Sequence, residues 1–179
     1  MNERTYQYCP LCRSALVARE LGGRTRGACP NESCGFVAWD NPVPVVAAIV
    51  ERNGEVILVR NVGRPEGWYG LVAGFLEKGE HPEAGIRREI DEEIGLAVRD
   101  LQFLGIYPFE LRNQVIICYH AYAEPGEIRL PADEIASYRS VPIERLRPWP
   151  LGTGPALRDW LAARGYHPPV VEFGKHVEK

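Results

Sequence analysis

The chain has 179 residues, 45% hydrophobic and 25% charged, the make-up of one globular domain of ordinary size with room for a small appendage. A net charge of −3 excludes a global basic field for nucleic acid. No apolar run approaches the roughly 18 residues that would span a bilayer, and the opening "MNERTYQYCP" lacks the apolar stretch of a secretion signal, so a cytoplasmic location is the expectation.

Residues 1–40 are rich in Cys, Gly and Arg and poor in large apolar side chains. Cys9 and Cys12 form a tight pair, and Cys29 and Cys34 a looser one, with Gly22-Gly23 at the tip of a hairpin between them. Two such knuckles place four thiolates around one Zn²⁺, a closed and therefore structural site, which also supplies the stability so short a segment cannot draw from burial. In a reducing compartment this spacing favours metal over two disulfides or free thiols. The expected division is a zinc ribbon over 1–40 and a second domain over 41–179. Cys118 stands apart in an apolar run and reads as a small buried hydrophobe.

From Trp39 the sequence "WDNPVPVV" is a linker turning into a strand, kept extended by its prolines. A buried strand over 45–51, an Asn53-Gly54 turn and a return strand over 55–60 make a hairpin. The stretch "NVGRPEGWYG" is a loop, and "LVAGF" a short strand.

A helix is expected next, with Pro82 in its first turn and Gly95 as its stop. Ile86, Ile90 and Ile94 recur every four residues and give it one apolar stripe. Glu89, Glu92 and Glu93 stand at i, i+3 and i+4 and share another face. Their mutual repulsion calls for a counter-charge, and a hard divalent cation such as Mg²⁺ or Mn²⁺ prefers such oxygen ligands. The bland alternative is a solvated acidic face. Arg88 can orient one of the carboxylates through its planar fork, and Glu80 adds an acid in the preceding loop, which Gly74 and Gly79 allow to fold close to the helix. Further strands follow, notably over 115–123. A last helix is expected over "GPALRDWLAAR", capped by Thr153 and stopped by Gly165. Strands and helices mix irregularly, so the class is α+β.

The segment 74–96 fits G-x(5)-E-x(7)-R-E-U-x-E-E-x-G-U, U being a bulky aliphatic, at Gly74, Glu80, Arg88, Glu89, Ile90, Glu92, Glu93, Gly95 and Leu96. It resembles the Nudix box of the Nudix hydrolases. With the four-cysteine ribbon, "NPVPVVAAIV" and "LVAGFLEKGE", the chain is similar over about residues 8–165 to their zinc-ribbon branch, the NADH pyrophosphatases and FAD pyrophosphatase-like proteins. The resemblance implies a mixed β-sheet between helices and divalent-metal-dependent hydrolysis of the pyrophosphate in a nucleoside diphosphate linked to another moiety (FAD, NAD(H) or ADP-ribose), releasing AMP. It makes Glu89, Glu92 and Glu93 metal ligands, Arg88 their orienting residue, and Glu80 an assistant to metal or water. Glu134 stands where such enzymes carry an additional metal-binding glutamate. One departure concerns substrate: NADH pyrophosphatases carry S-Q-P-W-P-F-P downstream, where this chain has "GIYPFELRNQ".

Bases stack on aromatic faces. Trp68 and Tyr69 before the box strand, and Tyr107 and Phe109 in a loop after it, are candidates for the base, each with core packing as the alternative. Arg60 and Arg112, with Arg64, are candidates for phosphates, and Gly74 is placed with them on the substrate side. Two other readings stay open. One is removal of an NAD cap from RNA, with the arginines of the ribbon (Arg13, Arg19, Arg24, Arg26) as a nucleic-acid contact. The other is a nucleotide-binding sensor without turnover. The appended ribbon also suggests a homodimer.

Overall fold

The computed structural model describes residues 6–172, which fall into two units, one ending at Asn41 and the other beginning at Pro42. The first is a three-stranded antiparallel sheet: β1 (Val17–Leu21), β2 (Arg24–Ala28) and β3 (Val37–Ala38), in that order. Leu21 pairs with Arg24 across a two-residue turn. Gly22 and Gly23 occupy it at φ 60° and 73°, where a hairpin turn of matching twist needs positive φ at both positions. Among the described residues of this unit, the buried apolar ones are Cys9, Ala28 and Cys29. Two of the three are cysteines, so its centre is made of thiols and not of hydrocarbon.

The second unit is built on a six-stranded mixed sheet of order β7-β8-β4-β5-β9, with β6 also paired to β4. The strands are β4 (Val43–Arg52), β5 (Glu55–Asn61), β6 (Val72–Phe75), β7 (Val98–Phe109), β8 (Gln114–Ala123) and β9 (Ile135–Pro142). Strand β4 organises it. One edge runs parallel to β8 from Val43↔Gln114 to Glu51↔Tyr122. The other edge is shared, Val45–Ala48 pairing with β6 and Val50–Arg52 with β5, both antiparallel. The Asn53-Gly54 turn has φ 55° and 78°, as its sequence predicts.

A strand covered on both faces loses its alternation, and Val46 through Val50 are all fully buried. Val46, Ala48 and Val50 face Ile86, Ile90 and Ile94 of helix α1 (Pro82–Ile94). Val45, Ala47 and Ile49 face Ala156, Leu157, Trp160 and Leu161 of helix α2 (Gly154–Ala162). The sheet is therefore sandwiched between the two helices. Burying each isoleucine of α1 stabilises the α1 layer by roughly 1.5–3 kcal/mol. His81 caps α1 by accepting the Glu83 N–H at Nδ1, 3.4 Å away, and Gly95 ends it in the left-handed conformation at φ 67°.

Two local expectations are corrected. Thr153 precedes α2 but its side chain makes no capping bond. The stretch expected to be a loop around Tyr107 and Phe109 is the end of β7, followed by a single 3-10 turn at Glu110–Arg112. No helix among the described residues is long and apolar enough to cross a membrane.

Candidate metal and substrate site

The acidic site begins with a close approach. A Cβ built on Gly74 would lie 2.0 Å from Glu89 Cδ, so only glycine on β6 leaves room for that carboxylate. Gly74 thus acts as the floor under Glu89. Helix α1 brings Glu89 and Glu93 down onto β6, and Glu92 stays at the rim. The side chain of Glu89 is 12% exposed and that of Glu92 53%.

Arg88 ties the group together. Its Nε and Nη2 donate to the two oxygens of Glu80, each at 2.9 Å. Its Nη1 donates to Glu89 Oε1 and Glu92 Oε2, both at 2.8 Å, and Nη2 reaches the Phe75 carbonyl at 3.2 Å. Glu80 Oε2 also accepts the Glu77 N–H at 3.1 Å. Hydrogen bonds from Arg88 hold the Glu80 carboxyl down at about 2, so it is a permanent anion with both oxygens engaged. The geometry makes Glu80 the anchor of Arg88, which leaves Glu80 less free for metal or water than the resemblance implies.

Glu93 is different. It is 5% exposed, and its Oε2 is buried without a hydrogen-bond partner among the described residues. Burial, with repulsion from Glu89, Glu134 and Glu92, pushes its carboxyl up to about 8 against a hydrogen bond from the Ala73 backbone. Burial likewise raises Glu89, and Arg88 opposes the shift. Buried carboxylates that repel one another, one with an oxygen unpaired among the described residues, could be relieved by a cation. This donor set suits Mg²⁺ or Mn²⁺. The three carboxylates do not converge on one point, since Arg88 draws Glu89 and Glu92 toward itself. Glu134 lies exposed in the loop before β9, where its carbonyl accepts the Val62 N–H at 2.7 Å, and its charge acts on Glu93.

The thiols do converge. Cys9, Cys12, Cys29 and Cys34 place their ligand atoms within 4.8 Å of one another, the one such metal-ligand group among the described residues. Cys9 and Cys34 Sγ are 3.5 Å apart, and Cys12 and Cys29 Sγ 3.4 Å. Four thiolates about 2.3 Å from a tetrahedral Zn²⁺ stand at comparable separations, so the set fits zinc; disulfide sulfurs would be about 2.05 Å apart. Hydrogen bonds from Ser14 lower Cys12 to about 6, whereas burial raises Cys29, and, against a hydrogen bond from the Phe36 backbone, Cys9 and burial raise Cys34 to about 12. Cys118 is buried on β8, and desolvation raises its thiol to about 12.

The substrate candidates are dispersed. Trp68 is 37% exposed, whereas Tyr69 is 5% exposed, with the Arg139 guanidinium 4.8 Å above its ring. No face of Tyr69 is left for a base. Tyr107 and Phe109 pack on the core of the α2 side. Burial, reinforced by Asp159, raises Tyr107 to about 12. Arg112 is exposed in the 3-10 turn. Arg60 is the penultimate residue of β5, its Nε 3.2 Å from Ser137 Oγ and its Nη1 3.1 Å from the Arg64 carbonyl. Ser137 and Arg139 carry no sequence motif. Their only signal is alternation along a strand, whose pairing with Arg60 lies far away in the chain.

Known proteins share this architecture. The chain is 30% identical over 138 residues to the NAD-capped RNA hydrolase NudC of Mannheimia succiniciproducens, an overlap of 74% of this chain and 51% of that protein. It is 28% identical over 171 residues to the NudC of Pseudomonas syringae pv. syringae, covering 94% and 60%. The chain thus spans about half to three-fifths of the length of the curated relatives it matches. Among solved structures, a NUDIX hydrolase from Nitrosomonas europaea superposes with a TM-score of 0.71 at 22% identity, over 93% of this chain and 99% of that one. The MutT NUDIX hydrolase from Burkholderia pseudomallei gives 0.57 at 28% identity, over 66% and 98%. The family model for the NUDIX domain matches residues 40–163, a span that holds the whole sandwich and every carboxylate of the acidic face. The chain belongs to the NUDIX family.

Proposed function

We propose that the chain is a divalent-metal-dependent pyrophosphohydrolase that splits a nucleoside diphosphate linked to a second moiety, releasing AMP from a dinucleotide-like substrate. NAD(H) stands first, ahead of FAD and ADP-ribose, because the curated relatives act on an NAD-capped substrate. The observation that carries the reading is the buried, unpartnered Oε2 of Glu93 beside Glu89, on a helix whose arginine already holds the neighbouring carboxylates. Glu89, Glu92 and Glu93 would hold Mg²⁺ or Mn²⁺, with Glu134 at the rim. The bound cation supplies neutralisation of the pyrophosphate, polarisation of phosphorus and a more acidic water. The chain's own part is positional. Arg88 and Glu80 fix the carboxylates, Gly74 lets Glu89 seat, and the buried Glu93 carboxyl, which burial and its acidic neighbours hold back from ionising, gains most from a cation beside it.

The test is a hydrolysis panel with Mg²⁺ and then Mn²⁺ over NADH, NAD⁺, FAD, ADP-ribose, a diadenosine polyphosphate and NAD-capped RNA. One substrate should stand out in kcat/KM, and Glu93→Gln should lower its kcat by about a thousandfold, since metal stabilisation is worth several kcal/mol. Tight nucleotide binding with no turnover would instead identify a sensor. The NudC relatives favour one second reading, removal of an NAD cap from RNA. Under it the capped RNA outperforms free NAD⁺, and the advantage falls steeply with salt.

A further inference from the structure

A second charged cluster lies on the opposite face of the sheet from α1. Strands β5 and β9 pair antiparallel, with Arg60 opposite Ser137 and Leu58 opposite Arg139. Leu58 and Tyr69 both belong to the core on the α2 side, so Arg60, Ser137 and Arg139 share that face. Gly70 bonds Val59 in both directions, at 2.9 and 2.8 Å, and so holds Tyr69 against β5. Ser137 Oγ lies 3.2 Å from Arg60 Nε and 3.0 Å from the Tyr69 hydroxyl, and Arg139 covers the Tyr69 ring at 4.8 Å.

Two half-buried guanidinium groups thus converge on one buried phenol. No carboxylate among the described residues forms an ion pair with either. Like charges brought together and partly desolvated without a counter-ion are unfavourable. Two planar forks flanked by hydroxyl donors match the oxygens of a phosphate group. Although burial raises a phenol, Ser137, Arg139 and Arg60 together lower that of Tyr69, so these groups favour negative charge at this point.

The geometry points to an oxyanion-binding subsite formed by Arg60, Arg139, Ser137 and the Tyr69 hydroxyl, which takes a phosphate group of the nucleotide substrate. This deepens the hydrolase reading and rests on it for the ligand being a nucleotide. The subsite is separate from the carboxylates of α1 and needs no metal.

The test is calorimetric titration of the full chain with inorganic pyrophosphate in buffer stripped of free divalent cations, where the acidic face cannot attract an anion. Saturable binding is expected to wild type and equally to Glu93→Gln. Arg60→Gln and Arg139→Gln should each weaken it about tenfold or more, as loss of a charged hydrogen bond does, while Arg139→Lys should retain part of it. Arg158→Gln on α2, whose arginine pairs with Asp159, should bind as wild type and so control for net charge. Thermal melts show which variants are folded, and the lysine variant serves if a glutamine variant is not. Absence of saturable binding to wild type overturns the subsite, as does undiminished binding by both glutamine variants. If pyrophosphate binds as expected but no substrate in the panel turns over, the hydrolase reading falls and the subsite stands. Comparing kcat/KM of Arg139→Gln on NADH and NADPH separates two sources of the phosphate. An equal loss on both identifies a phosphate that the two substrates share, and a loss confined to NADPH identifies a phosphate on the ribose.

Discussion

Glu89 owes its position to a side chain that is missing. With Gly74 beneath it, the carboxylate lies flat on β6. Gly74→Ala puts a methyl group 2.0 Å from the present position of Glu89 Cδ, far inside contact distance. The expected result is a fall in kcat of about a hundredfold, the usual penalty for a displacement of roughly 1 Å at a reacting centre, with folding retained by circular dichroism. His120 is a residue whose importance only the structure shows. It is fully buried, with Nε2 2.8 Å from Glu51 Oε2 and Nδ1 3.4 Å from Arg164 Nη2. That arrangement suits a neutral ring donating to Glu51 and accepting from Arg164, with the Tyr122 and Trp160 rings packed around it. Burial lowers its pKa below the ordinary 6.5, and Arg164 adds to the shift while Glu51 and Asp100 oppose it. Below about pH 6.5 the unfolded chain takes up a proton that the folded chain refuses, so this site's contribution is intact above that pH and is lost as pH falls. The urea midpoint of wild type relative to that of His120→Gln should therefore fall between about pH 7.5 and 5.5, a comparison that cancels the opposite pH dependence which the raised Glu93 carboxyl gives to both. The carboxylates of the acidic face were legible because 3.6 residues per turn dictate which side chains share a helix face. His120 and Glu51 were not, because their meeting depends on a strand pairing that the local sequence does not encode.

Among the elements, α1 was the most readable, with its proline, its isoleucine stripe and its terminal glycine all acting locally. Strand β7 was the least. It carries Gly105 and Pro108, and its pairing shifts between Phe103 and Gly105, features that in sequence read as a loop. At the edge of a sheet they are tolerated, because a proline there gives up no ladder bond and a bulge absorbs the irregularity. Thr153 failed as a cap because its own backbone is already helical, at φ −81° and ψ −9°, whereas a capping residue needs an extended conformation. The three-stranded ribbon has the thiol cluster as its organising centre, and its prediction belongs to this scale. Cys29→Ser should lose bound zinc, about one ion per chain, and amide exchange across β1 and β2 should become fast as the strands lose what held them. Retained protection in a zinc-free variant would refute the structural role of the metal.

For the molecule as a whole, the α+β class and the hairpin of β4 with β5 followed from pattern, but the order of the sheet did not. That order hangs on β4, which joins β8 on one edge and divides the other between β6 and β5. Periodicity gave no hint of so much pairing, only of burial. The division has a consequence during synthesis. The residues of β8 that complete the parallel edge of β4 lie about 70 positions downstream, so at roughly 5–20 residues per second a ribosome needs about 4–14 s to make them. Once β5 and β6 have been made, the most apolar strand of the protein has one edge closed by its hairpin and by β6, and the other edge stays open until β8 follows. A nascent chain stalled before Gln114 is thus a sticky intermediate, and the time that chaperones must guard it is set by how fast β8 is translated.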